Sequence, residues 1–341
     1  MSNAASPRPP LSECLVSVVL PVYNEADVLR QLHELVTRTL DDVGCRCEII
    51  YINDGSRDAS AEILDELAAQ DPRAKVVHFS RNFGHQAALQ AGLVHAQGDC
   101  TIVMDSDMQD DPTSLGDFLE KWQQGYDVVY AIRVGRKENA VKRFLFNAFY
   151  RVLNFVGRVP MPKDAGNFGV MDAFVTREVA ALIEQDRYVA GLRSWVGHKQ
   201  TGVPVERGER HDDRPRVSLL GLFRLAKSAI VSFSTLPLSM FYFIAAASML
   251  VCAALVAFTL YHKLFTGKAI EGWTSITITA SFFGALNALG IAILGEYVVR
   301  IYDQVRARPM YVVSRRVNME GEPRQTLADE TAEQTGETSA R

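Results

Sequence analysis

Residues 101–112, with the sequence TIVMDSDMQDDP, hold the side chains of this chain best suited to chemistry. An apolar run at 101–104 predicts a buried strand, and polar side chains follow it directly: Asp105, Asp107, Gln109 and Asp110. Because side chains of an extended segment alternate between two faces, we expect Asp105, Asp107 and Gln109 to point the same way. Their oxygens suit Mg²⁺ or Mn²⁺, which commonly bind one or two carboxylates together with substrate phosphates. The alternative is a solvated acidic turn before a helix, capped by Asp111 or Thr113.

The segments around this stretch alternate between predicted strands and predicted helices. Apolar runs rich in β-branched residues predict strands at 15–21, 48–52, 74–79, 101–104 and 127–132. Between them, the sequence predicts helices at 25–40, 58–69, 84–96 and 114–123. This alternation indicates βαβ units and an α/β fold, built on a mostly parallel sheet with helices on both faces.

Polar groups follow three of the predicted strands. Asn24 and Glu25 follow the first strand, Asp54 the second and Asp105 the fourth. Parallel strands align their carboxyl ends at one edge of the sheet, where open α/β sheets bind their ligands. We therefore expect a site at this edge, with Glu25 and Asp54 accepting hydrogen bonds from a base or a ribose. Helix capping is the alternative role for Asn24 and Asp58.

The overall composition excludes some functional classes. With a net charge of −4 over 341 residues, the chain shows no basic face for nucleic acid. Its five cysteines are odd in number and lack paired metal-ligand spacing, so we expect reduced thiols. Residues 1–14 contain no apolar core, so we expect a disordered lead-in and no secretory signal peptide. The polar, acidic residues 319–341 are expected to form a disordered tail.

Two long uncharged segments predict membrane-spanning helices. Residues 228–261 and 272–295 contain no charged side chain, and each exceeds the roughly 20 residues that cross a bilayer. We place the two transmembrane helices at 234–262 and 272–296. The alternative, a pair of buried helices in a soluble domain, does not account for apolar stretches of this length.

Basic residues flank both predicted spans on their outer sides. They lie in a juxtamembrane segment at 211–233 and in a helix or strand segment at 297–318. The positive-inside rule therefore places these flanks, a catalytic domain at 15–210 and both termini in the cytosol. The loop at 263–271 is expected on the outer side, which gives a two-span protein of the inner (cytoplasmic) membrane.

Four motifs carry a resemblance to a known family: VVLPVYNE at 18–25, INDGSRD at 52–58, SRNFGHQAAL at 80–89 and MDSDMQDDP at 104–112. They resemble the family 2 glycosyltransferases, and most closely the polyprenyl-phosphate glycosyltransferases. That group includes dolichol-phosphate mannose synthase and the bactoprenol glucosyl and aminoarabinosyl transferases. The resemblance covers roughly residues 16–317, which makes it more specific than any single motif.

The resemblance implies a GT-A fold, in which a nucleotide-binding α/β sheet holds a metal at its D-x-D end. The residues that match the family's nucleotide-binding positions are Pro21, Tyr23, Glu25 and Asp54. The residues that match its metal ligands, which hold Mg²⁺ or Mn²⁺ on the diphosphate, are Asp105, Asp107 and Gln109. The two aspartates are catalytic in this interpretation because they act on the leaving group through the metal.

A cytosolic site tethered to a membrane implies one water-soluble substrate and one lipid substrate. We expect transfer of a sugar from a nucleotide-diphosphate sugar, a UDP-sugar, to polyprenyl (undecaprenyl) monophosphate, with inversion at the anomeric carbon. The product would serve cell-envelope glycosylation. An incoming phosphate monoester carries about −1.5 to −2 charges at pH 7, so it needs positioning more than proton abstraction. The arginines that could clamp it are Arg133, Arg193, Arg207 and Arg210.

Residues 164–173, DAGNFGVMDA, depart from the family's pattern. Asn167 stands in place of an acid often proposed as the catalytic base, and Gly169 and Ala173 replace arginines. Asp164 remains as a candidate base, which would be essential if the acceptor were a lipid hydroxyl. Leu192-Arg193-Ser194-Trp195 replaces the Q-x-x-R-W of processive polysaccharide synthases, which argues against polymerisation.

Two alternatives to the expected reaction stay open. The chain could transfer a sugar to another membrane lipid, or it could be a non-catalytic membrane scaffold that binds nucleotide sugar. The chain could also form a homo-oligomer.

Overall fold

The computed structural model describes residues 8–134, 165–206 except 183 and 186, scattered positions between 244 and 265, and 272–319. The chain divides into two compact units. One unit contains Met1–Tyr150, Val159–Arg216 and Pro309–Arg341, and the other contains Arg151–Arg158 and Val217–Arg308. The predicted strand-end residues therefore share a unit with the segment that follows the second apolar stretch.

The first unit contains eight strands among its described residues. In chain order they are β1 (Leu15–Val22), β2 (Arg46–Asn53), β3 (Ala74–Phe79), β4 (Cys100–Val103), β5 (Val128–Val134), β6 (Ala165–Asp172), β7 (Gln200–Glu206) and β8 (Val313–Val317). They form a single sheet in the order β7-β5-β6-β4-β1-β2-β3-β8. Strands β1 to β4 are mutually parallel, and β5 is parallel to β7. Strands β6 and β8 run antiparallel to their neighbours, so the sheet is mixed and mostly parallel.

The five predicted strands are all present, with ends that differ from the prediction by at most two residues. Strands β1 and β2 are buried along almost their whole length, as their unbroken apolar runs indicate for strands covered on both faces. Strand β6 lies in a segment for which no strand was predicted. Its residues Ala165, Gly166 and Gly169 have low β-propensity, so the pattern that identified the other strands is missing there.

Seven α-helices have bounds that the structure describes. They are α1 (Leu29–Val43), α2 (Ser60–Gln70), α3 (His85–His95), α4 (Leu115–Gln123), α5 (Ala173–Ala181), α6 (Val189–Trp195) and α7 (Trp273–Arg306). The four helices predicted between the strands correspond to α1 to α4. Helix α1 begins four residues later than the predicted 25, because the preceding residues form a loop whose N–H groups donate to Asp58 and Ser60 at the start of α2.

The alternation of side chains along the strands separates two buried layers. Val103, Val128 and Met171 pack with Leu89 of α3 and Leu192 of α6 in one cluster. The opposite layer packs against α1 and α4, and its members include Ile102, Val129, Val170, Leu32 and Phe118. We call the first side of the sheet the α3 face.

The segment that follows residue 7 is ordered, which corrects the predicted disordered lead-in for residues 8–14. Arg8 donates hydrogen bonds to the carbonyl oxygens of Trp122 and Tyr126, the second at 2.8 Å. Its guanidinium also lies 3.0 Å from the carboxylates of both Asp127 and Asp172. This arginine ties the N-terminal segment to the end of α4 and the start of β5. Residues 1–7 lie outside the described residues.

Helix α7 contains 34 residues and covers the second predicted span. Among the described residues, Phe282–Arg306 is the one helical segment long and apolar enough to cross a membrane, with a mean hydropathy of 1.7. Only 6% of its most apolar window is buried within the protein. The first predicted span at 234–262 and the loop at 263–271 lie mostly outside the described residues.

Strand β8 closes the β3 edge of the sheet. The backbone N–H of Ser80 donates to the Val312 carbonyl at 2.9 Å, and the Tyr311 ring stacks on Phe79 with a centroid distance of 4.8 Å. Arg315 pairs with Asp65 of α2, with an Nη1 to Oδ1 distance of 2.8 Å. The chain therefore returns from α7 to complete the same sheet that carries the strand-end residues.

Candidate active site

The predicted metal-binding residues lie in a tight loop rather than on an extension of β4. Met108 has a φ of 58°, in the left-handed region that non-glycine residues seldom adopt. The Asp107 carboxylate accepts a hydrogen bond from the Gln109 N–H at 3.2 Å, and the Asp110 carboxylate accepts one from the Asp105 N–H at 3.4 Å. The loop folds back on itself. The alternation of side chains between two faces, predicted to continue to Gln109, therefore stops where β4 ends.

The capping alternative holds for one residue of this acidic stretch. The Asp111 side chain accepts a hydrogen bond from the Thr113 N–H at 2.9 Å and caps the short 3₁₀ turn Pro112–Ser114 before α4. Asp111 is exposed, whereas Gln109 and Asp110 are buried. The stretch therefore divides into a buried loop at the strand end and an ordinary helix cap after it.

A histidine connects this loop to β6. His85 is the first residue of α3, and its Nε2 lies 3.6 Å from Asp105 Oδ1 and 3.2 Å from Asn167 Nδ2. Strand β6 pairs antiparallel with β4 so that Gly169 lies opposite Val103. Asn167 therefore reaches the sheet edge at which β4 ends. We call His85, Asp105 and Asn167 the His85 cluster.

Three buried oxygen atoms at this edge lack a hydrogen-bond partner in the part of the chain that the structure describes: Asp105 Oδ1, Gln109 Oε1 and Asn167 Oδ1. Such atoms are unusual, because each one left unpaired costs about 1–3 kcal/mol. The Asn167 oxygen has a local solution, since turning the amide by 180° would direct it at His85 Nε2. Asp105 Oδ1 and Gln109 Oε1 remain as acceptors that a cation would satisfy.

These residues fit the predicted divalent cation. A carboxylate and an amide oxygen are hard ligands, and both are buried without a donor in the loop itself. Within the described ranges, no three His, Cys, Asp or Glu side chains come together as a metal site. The predicted set of Asp105, Asp107 and Gln109 contains only two such side chains, and Mg²⁺ commonly completes its shell with water and substrate phosphates.

Asp54 anchors the loop that leads to His85. It is 3% exposed, and its two carboxylate oxygens accept hydrogen bonds from the N–H groups of Phe83 at 2.6 Å and Gly84 at 2.9 Å. Burial raises the pKa of Asp54, and these two hydrogen bonds offset only part of that effect. Gly84 has a φ of 99°, which suits glycine and lets the chain turn into α3. The nucleotide-binding role of Asp54 stays a prediction.

Helix capping is the alternative role of Asn24 and Asp58, and only Asp58 lies at a helix start with its side chain bonded there. Asn24 does not cap α1; its side-chain oxygen accepts a hydrogen bond from the Arg57 N–H at 2.8 Å. Asp58 accepts one from the Ser60 N–H at 3.0 Å, at the start of α2, and a second from the Ala26 N–H at 3.1 Å. The loops after β1 and β2 are thereby bonded to each other.

The other predicted nucleotide-binding residues follow the same edge. The carbonyl of Pro21 accepts a hydrogen bond from Ser106 Oγ at 2.6 Å, which joins β1 to the metal-binding loop. The Glu25 N–H donates to Ser60 Oγ at 3.0 Å, and the Tyr23 side chain is 36% exposed. Their positions beside the loop are compatible with the predicted nucleotide contact, which stays a prediction.

One of the predicted acceptor arginines has a described side chain. Arg193 lies on α6, is 2% exposed, and its guanidinium carbon is 5.4 Å from the centre of the Tyr130 ring. Burial lowers the pKa of Arg193 to about 10. Arg133 belongs to β5, but its side chain lies outside the described residues, as do the whole of Arg207, Arg210 and Asp164.

Comparison with known proteins identifies the family. The model of glycosyl transferase family 2 matches residues 17–180. Uncharacterized glycosyltransferase YkcC of Bacillus subtilis (strain 168) is 40% identical over 306 residues, which cover 89% of this chain and 94% of that protein. This chain belongs to glycosyl transferase family 2.

Other members of the family are similar over the same length. A prophage bactoprenol glucosyl transferase homolog of Escherichia coli (strain K12) is 34% identical over 301 residues, 88% of this chain and 98% of that protein. The SfII prophage-derived bactoprenol glucosyl transferase of Shigella flexneri is also 34% identical over 301 residues, 88% of this chain and 97% of that protein. The chain is therefore a glycosyltransferase, as the sequence motifs predict.

One departure of this glycosyltransferase from the family's usual pattern has a steric explanation. Gly169 lies between β4 and β5, with a φ of 156°, and an added Cβ would approach the Val129 carbonyl oxygen to 2.3 Å. A side chain at this position, arginine included, would require the strands to move. Nothing in the structure explains Ala173, which begins α5 after the capping residue Asp172.

His85 is the residue of this glycosyltransferase site that the sequence analysis missed. Its motif at 80–89 contributed only to the family resemblance. The available signal was a glycine directly before a histidine at a predicted helix start, at the edge where the strands end. Such a position places an imidazole at the N-terminus of α3, beside the residues that follow β4.

Proposed function

We propose that this glycosyltransferase moves a sugar from a UDP-sugar to polyprenyl (undecaprenyl) monophosphate. This proposal rests first on two buried oxygens at the carboxyl edge of the sheet, Asp105 Oδ1 and Gln109 Oε1, which have no hydrogen-bond partner among the described residues. The acceptor follows from the relatives named as bactoprenol glucosyl transferases. Their similarity extends over 301 residues, so it continues well past residue 180, where the family model ends.

In this proposal the mixed sheet is a GT-A fold whose metal site is formed by Asp105, Asp107 and Gln109. A bound Mg²⁺ or Mn²⁺ would supply positive charge that stabilises the leaving nucleoside diphosphate. The chain contributes a preorganised loop, in which the Gln109 and Asp105 backbone N–H groups are held by the carboxylates of Asp107 and Asp110. Preorganised groups cost no rearrangement during reaction, which is the main source of electrostatic stabilisation in enzymes.

The nucleotide is proposed to lie beside this loop, on Pro21, Tyr23, Glu25 and Asp54. The hydrogen bond from Ser106 to the Pro21 carbonyl supports this arrangement, because it joins β1 directly to the metal-binding loop. The exposed Tyr23 ring could stack on a base, and the Glu25 carboxylate could accept a hydrogen bond from a ribose. Asp54 would act mainly by fixing the loop before His85.

The acceptor chemistry explains why an asparagine is tolerated at position 167. A polyprenyl phosphate oxygen is already ionised at neutral pH, so it can attack the anomeric carbon without losing a proton to the protein. Direct attack from the side opposite the leaving group would invert the configuration. Asn167 and His85 would then orient groups through hydrogen bonds, and Asp164 would be needed only for a hydroxyl acceptor.

We also propose that the reaction takes place at the cytosolic face of the inner membrane. Helix α7 supports a membrane attachment, because its apolar side chains are exposed and its Phe282–Arg306 segment is long enough to span. The two spans at 234–262 and 272–296 would keep the catalytic domain and both termini in the cytosol. Arg133, Arg193, Arg207 and Arg210 are the proposed contacts for the lipid phosphate.

The test is a transfer assay on membranes that contain the protein. Membranes are incubated with a panel of labelled nucleotide sugars and either undecaprenyl phosphate or undecaprenol, with Mn²⁺ or Mg²⁺ or with a chelator. We expect one nucleotide sugar to label the lipid, and the chelator to abolish labelling. Asp107→Asn should lower transfer by at least about 10²-fold, the scale of losing one strong electrostatic stabiliser.

The matched control is Asp111→Asn in the same acidic stretch. Asn caps a helix as well as Asp does, so this variant should transfer at the wild-type rate. Equal transfer by Asp107→Asn and wild type, or transfer that survives the chelator, would refute the metal site. Labelling of undecaprenol but not of its phosphate would point instead to a hydroxyl acceptor and to Asp164 as base. Nucleotide-sugar binding without transfer to any lipid would make the chain a scaffold.

A further inference from the structure

Aromatic contacts connect the segment that follows α7 to the loop between β3 and α3. We call that loop, residues 80–84, the Phe83 loop. The Tyr311 ring stacks on Phe79 with a centroid distance of 4.8 Å and an angle of 13° between the planes. Phe79 in turn meets Phe83 edge to face, with a centroid distance of 5.7 Å. Phe79 is buried and Tyr311 is half-buried, so the three rings form part of a packed cluster.

The backbone of the Phe83 loop is held at both ends by residues distant in the chain. At its start, the Ser80 N–H donates to the Val312 carbonyl at 2.9 Å. At its end, the N–H groups of Phe83 and of the glycine after it donate to the Asp54 carboxylate. His85 follows directly as the first residue of α3. The position of this loop therefore determines where His85 lies relative to the residues that follow β4.

The Phe83 loop also constrains the residues that follow β2. Gly55 has a φ of 63° and lies against the loop backbone. An added Cβ there would approach the Arg81 carbonyl carbon to 2.5 Å and the Asn82 nitrogen to 2.6 Å. Contacts this close leave no room for the two loops to move independently. A displacement of the Phe83 loop would therefore displace Asp54 and Gly55 as well.

Buried polar side chains form a second connection from β8 to the loop after β2. Arg315 pairs with Asp65, and the same Asp65 oxygen lies 3.1 Å from His78 Nε2. On its other side, His78 Nδ1 lies 3.0 Å from Asn53 Nδ2. The Asn53 side-chain oxygen accepts a hydrogen bond from the Ser56 N–H at 3.0 Å. The segment after α7 is thus connected to the carboxyl edge of the sheet by an aromatic route and a polar route.

The other end of β8 makes contacts that do not reach this edge. Asn318 donates hydrogen bonds to the carbonyl oxygens of Ala68 and Ala74, at 2.5 and 3.0 Å. Because β8 runs antiparallel to β3, these contacts lie at the amino end of β3, whereas Val313 pairs with Phe79 at its carboxyl end. The two ends of β8 therefore allow a stabilising contact to be separated from a contact that also reaches the site.

We propose that Tyr311 is a positioning residue for the nucleotide-binding side of the site, acting through Phe79 and the Phe83 loop on Asp54 and His85. The inference rests on the proposed function for the identity of the ligand, a nucleoside diphosphate. When only part of a protein population has the binding-competent loop conformation, the apparent affinity falls by that fraction. The segment that returns from the membrane helix is, in this proposal, required for substrate binding as well as for closing the sheet.

The experiment uses the full-length protein in lipid nanodiscs and makes two measurements below the Tm. Hydrogen exchange, read by mass spectrometry, reports how often the backbone N–H groups of the Phe83 loop open. Calorimetry gives the affinity for UDP in the presence of Mn²⁺. The first variant is Tyr311→Leu, which keeps apolar volume and loses the planar ring. Tyr311→Phe keeps the ring and removes only the hydroxyl.

We expect Tyr311→Leu to accelerate exchange in the Phe83 loop and to weaken UDP binding, each by about three- to tenfold, the scale of one lost aromatic pair. Tyr311→Phe should match the wild type in both measurements, because it retains the stack on Phe79. Phe83→Leu breaks the same series of rings at the loop, should reproduce both effects, and serves where Tyr311→Leu does not fold.

The matched control is Asn318→Gly, which keeps the positive φ of 55° and loses two hydrogen bonds at the far end of β8. It should lower the Tm and accelerate exchange at the amino end of β3, with the UDP affinity unchanged. An equal loss of UDP affinity in this control would show that Tyr311 acts only through general stability and would overturn the proposal.

Two further results would also overturn it: unchanged exchange in the Phe83 loop of both ring variants, or faster exchange there without any loss of UDP affinity. If the wild-type protein does not bind UDP at all, the proposed function fails on its own account. The exchange measurement still decides the positioning role in that case, because faster opening in Tyr311→Leu but not in Asn318→Gly requires no nucleotide.

Discussion

Asp54→Asn separates an anchoring role of this carboxylate from nucleotide binding. The buried carboxylate holds the Phe83 and Gly84 N–H groups. Asparagine keeps one acceptor oxygen but turns an NH₂ group toward the second N–H. Losing a hydrogen bond to a charged group costs about 1.5–3 kcal/mol, and the unpaired N–H costs about 1–3 kcal/mol more. Burial raises the pKa of Asp54, so the charge that is lost was already costly in the folded protein. We therefore expect the free energy of unfolding to fall by about 3 kcal/mol, near the lower end of the sum of these two costs.

The matched control for this prediction is Asp58→Asn. Asp58 also accepts two backbone hydrogen bonds, from Ala26 and Ser60, but its side chain is exposed and lies at a helix start. Water can replace a lost bond there, and Asn and Asp are equivalent as caps. We therefore expect Asp58→Asn to change the free energy of unfolding by less than about 0.5 kcal/mol.

The assay is thermal unfolding of the full-length protein, followed by tryptophan fluorescence, together with the KM for the nucleotide sugar. A loss of about 3 kcal/mol corresponds to a fall in apparent Tm of roughly 6–12 °C for a domain of this size. The apparent Tm of the Asp58→Asn variant should fall by no more than roughly 2 °C. If Asp54→Asn keeps the wild-type Tm while the KM rises, the residue binds nucleotide without anchoring the loop, and the reasoning from its hydrogen bonds is refuted.

Three further predictions concern stability and topology. Gly169→Ala should lower the free energy of unfolding by about 1–3 kcal/mol, because the added Cβ meets the Val129 carbonyl. The control is Gly116→Ala in α4, where a Cβ has room and the free energy of unfolding should not fall. Equal changes of Tm in the two variants would contradict this reasoning. Burial lowers the pKa of His95, so the unfolded chain takes up a proton that the folded chain does not, and stability should fall as the pH drops below about 6.5. His95→Gln should weaken that pH dependence of the Tm, and an unaltered dependence would show that His95 does not contribute. A cysteine placed at 263–271, with the native cysteines replaced, should react with an impermeant thiol reagent from outside intact cells, and labelling only after lysis would reverse the topology.

Strands β1 to β5 were predictable because their signals are local. Each of the first five strands is an apolar, β-branched run, and the helices between them have their own periodicity. Strand β6 escaped prediction because glycine and alanine at 165, 166 and 169 remove that pattern, and its place between β4 and β5 depends on long-range pairing. The fact that Gly169 admits no side chain is likewise visible only once both neighbours are in place.

The site was predictable in its residue types and less so in its geometry. Asp105, Asp107 and Gln109 could be selected from their chemistry and their place after a strand. The left-handed backbone at Met108 could not be predicted, because it depends on the hydrogen bonds that fold the loop back on itself. The contact between His85 and Asn167 joins residues far apart in the chain, and no spacing in the sequence encodes it.

The position of β8 has a consequence for how the protein is made. During synthesis β3 emerges early, but its outer neighbour is encoded roughly 230 residues later, beyond both apolar segments. At about 5–20 residues per second, the ribosome leaves that strand edge unpaired for roughly 10–50 s. An open edge is a template for pairing with other chains. The β3 edge of the nascent sheet can therefore pair wrongly during the whole time in which the apolar segments are synthesised. A chain released before residue 313 would lack β8 and would leave this edge open.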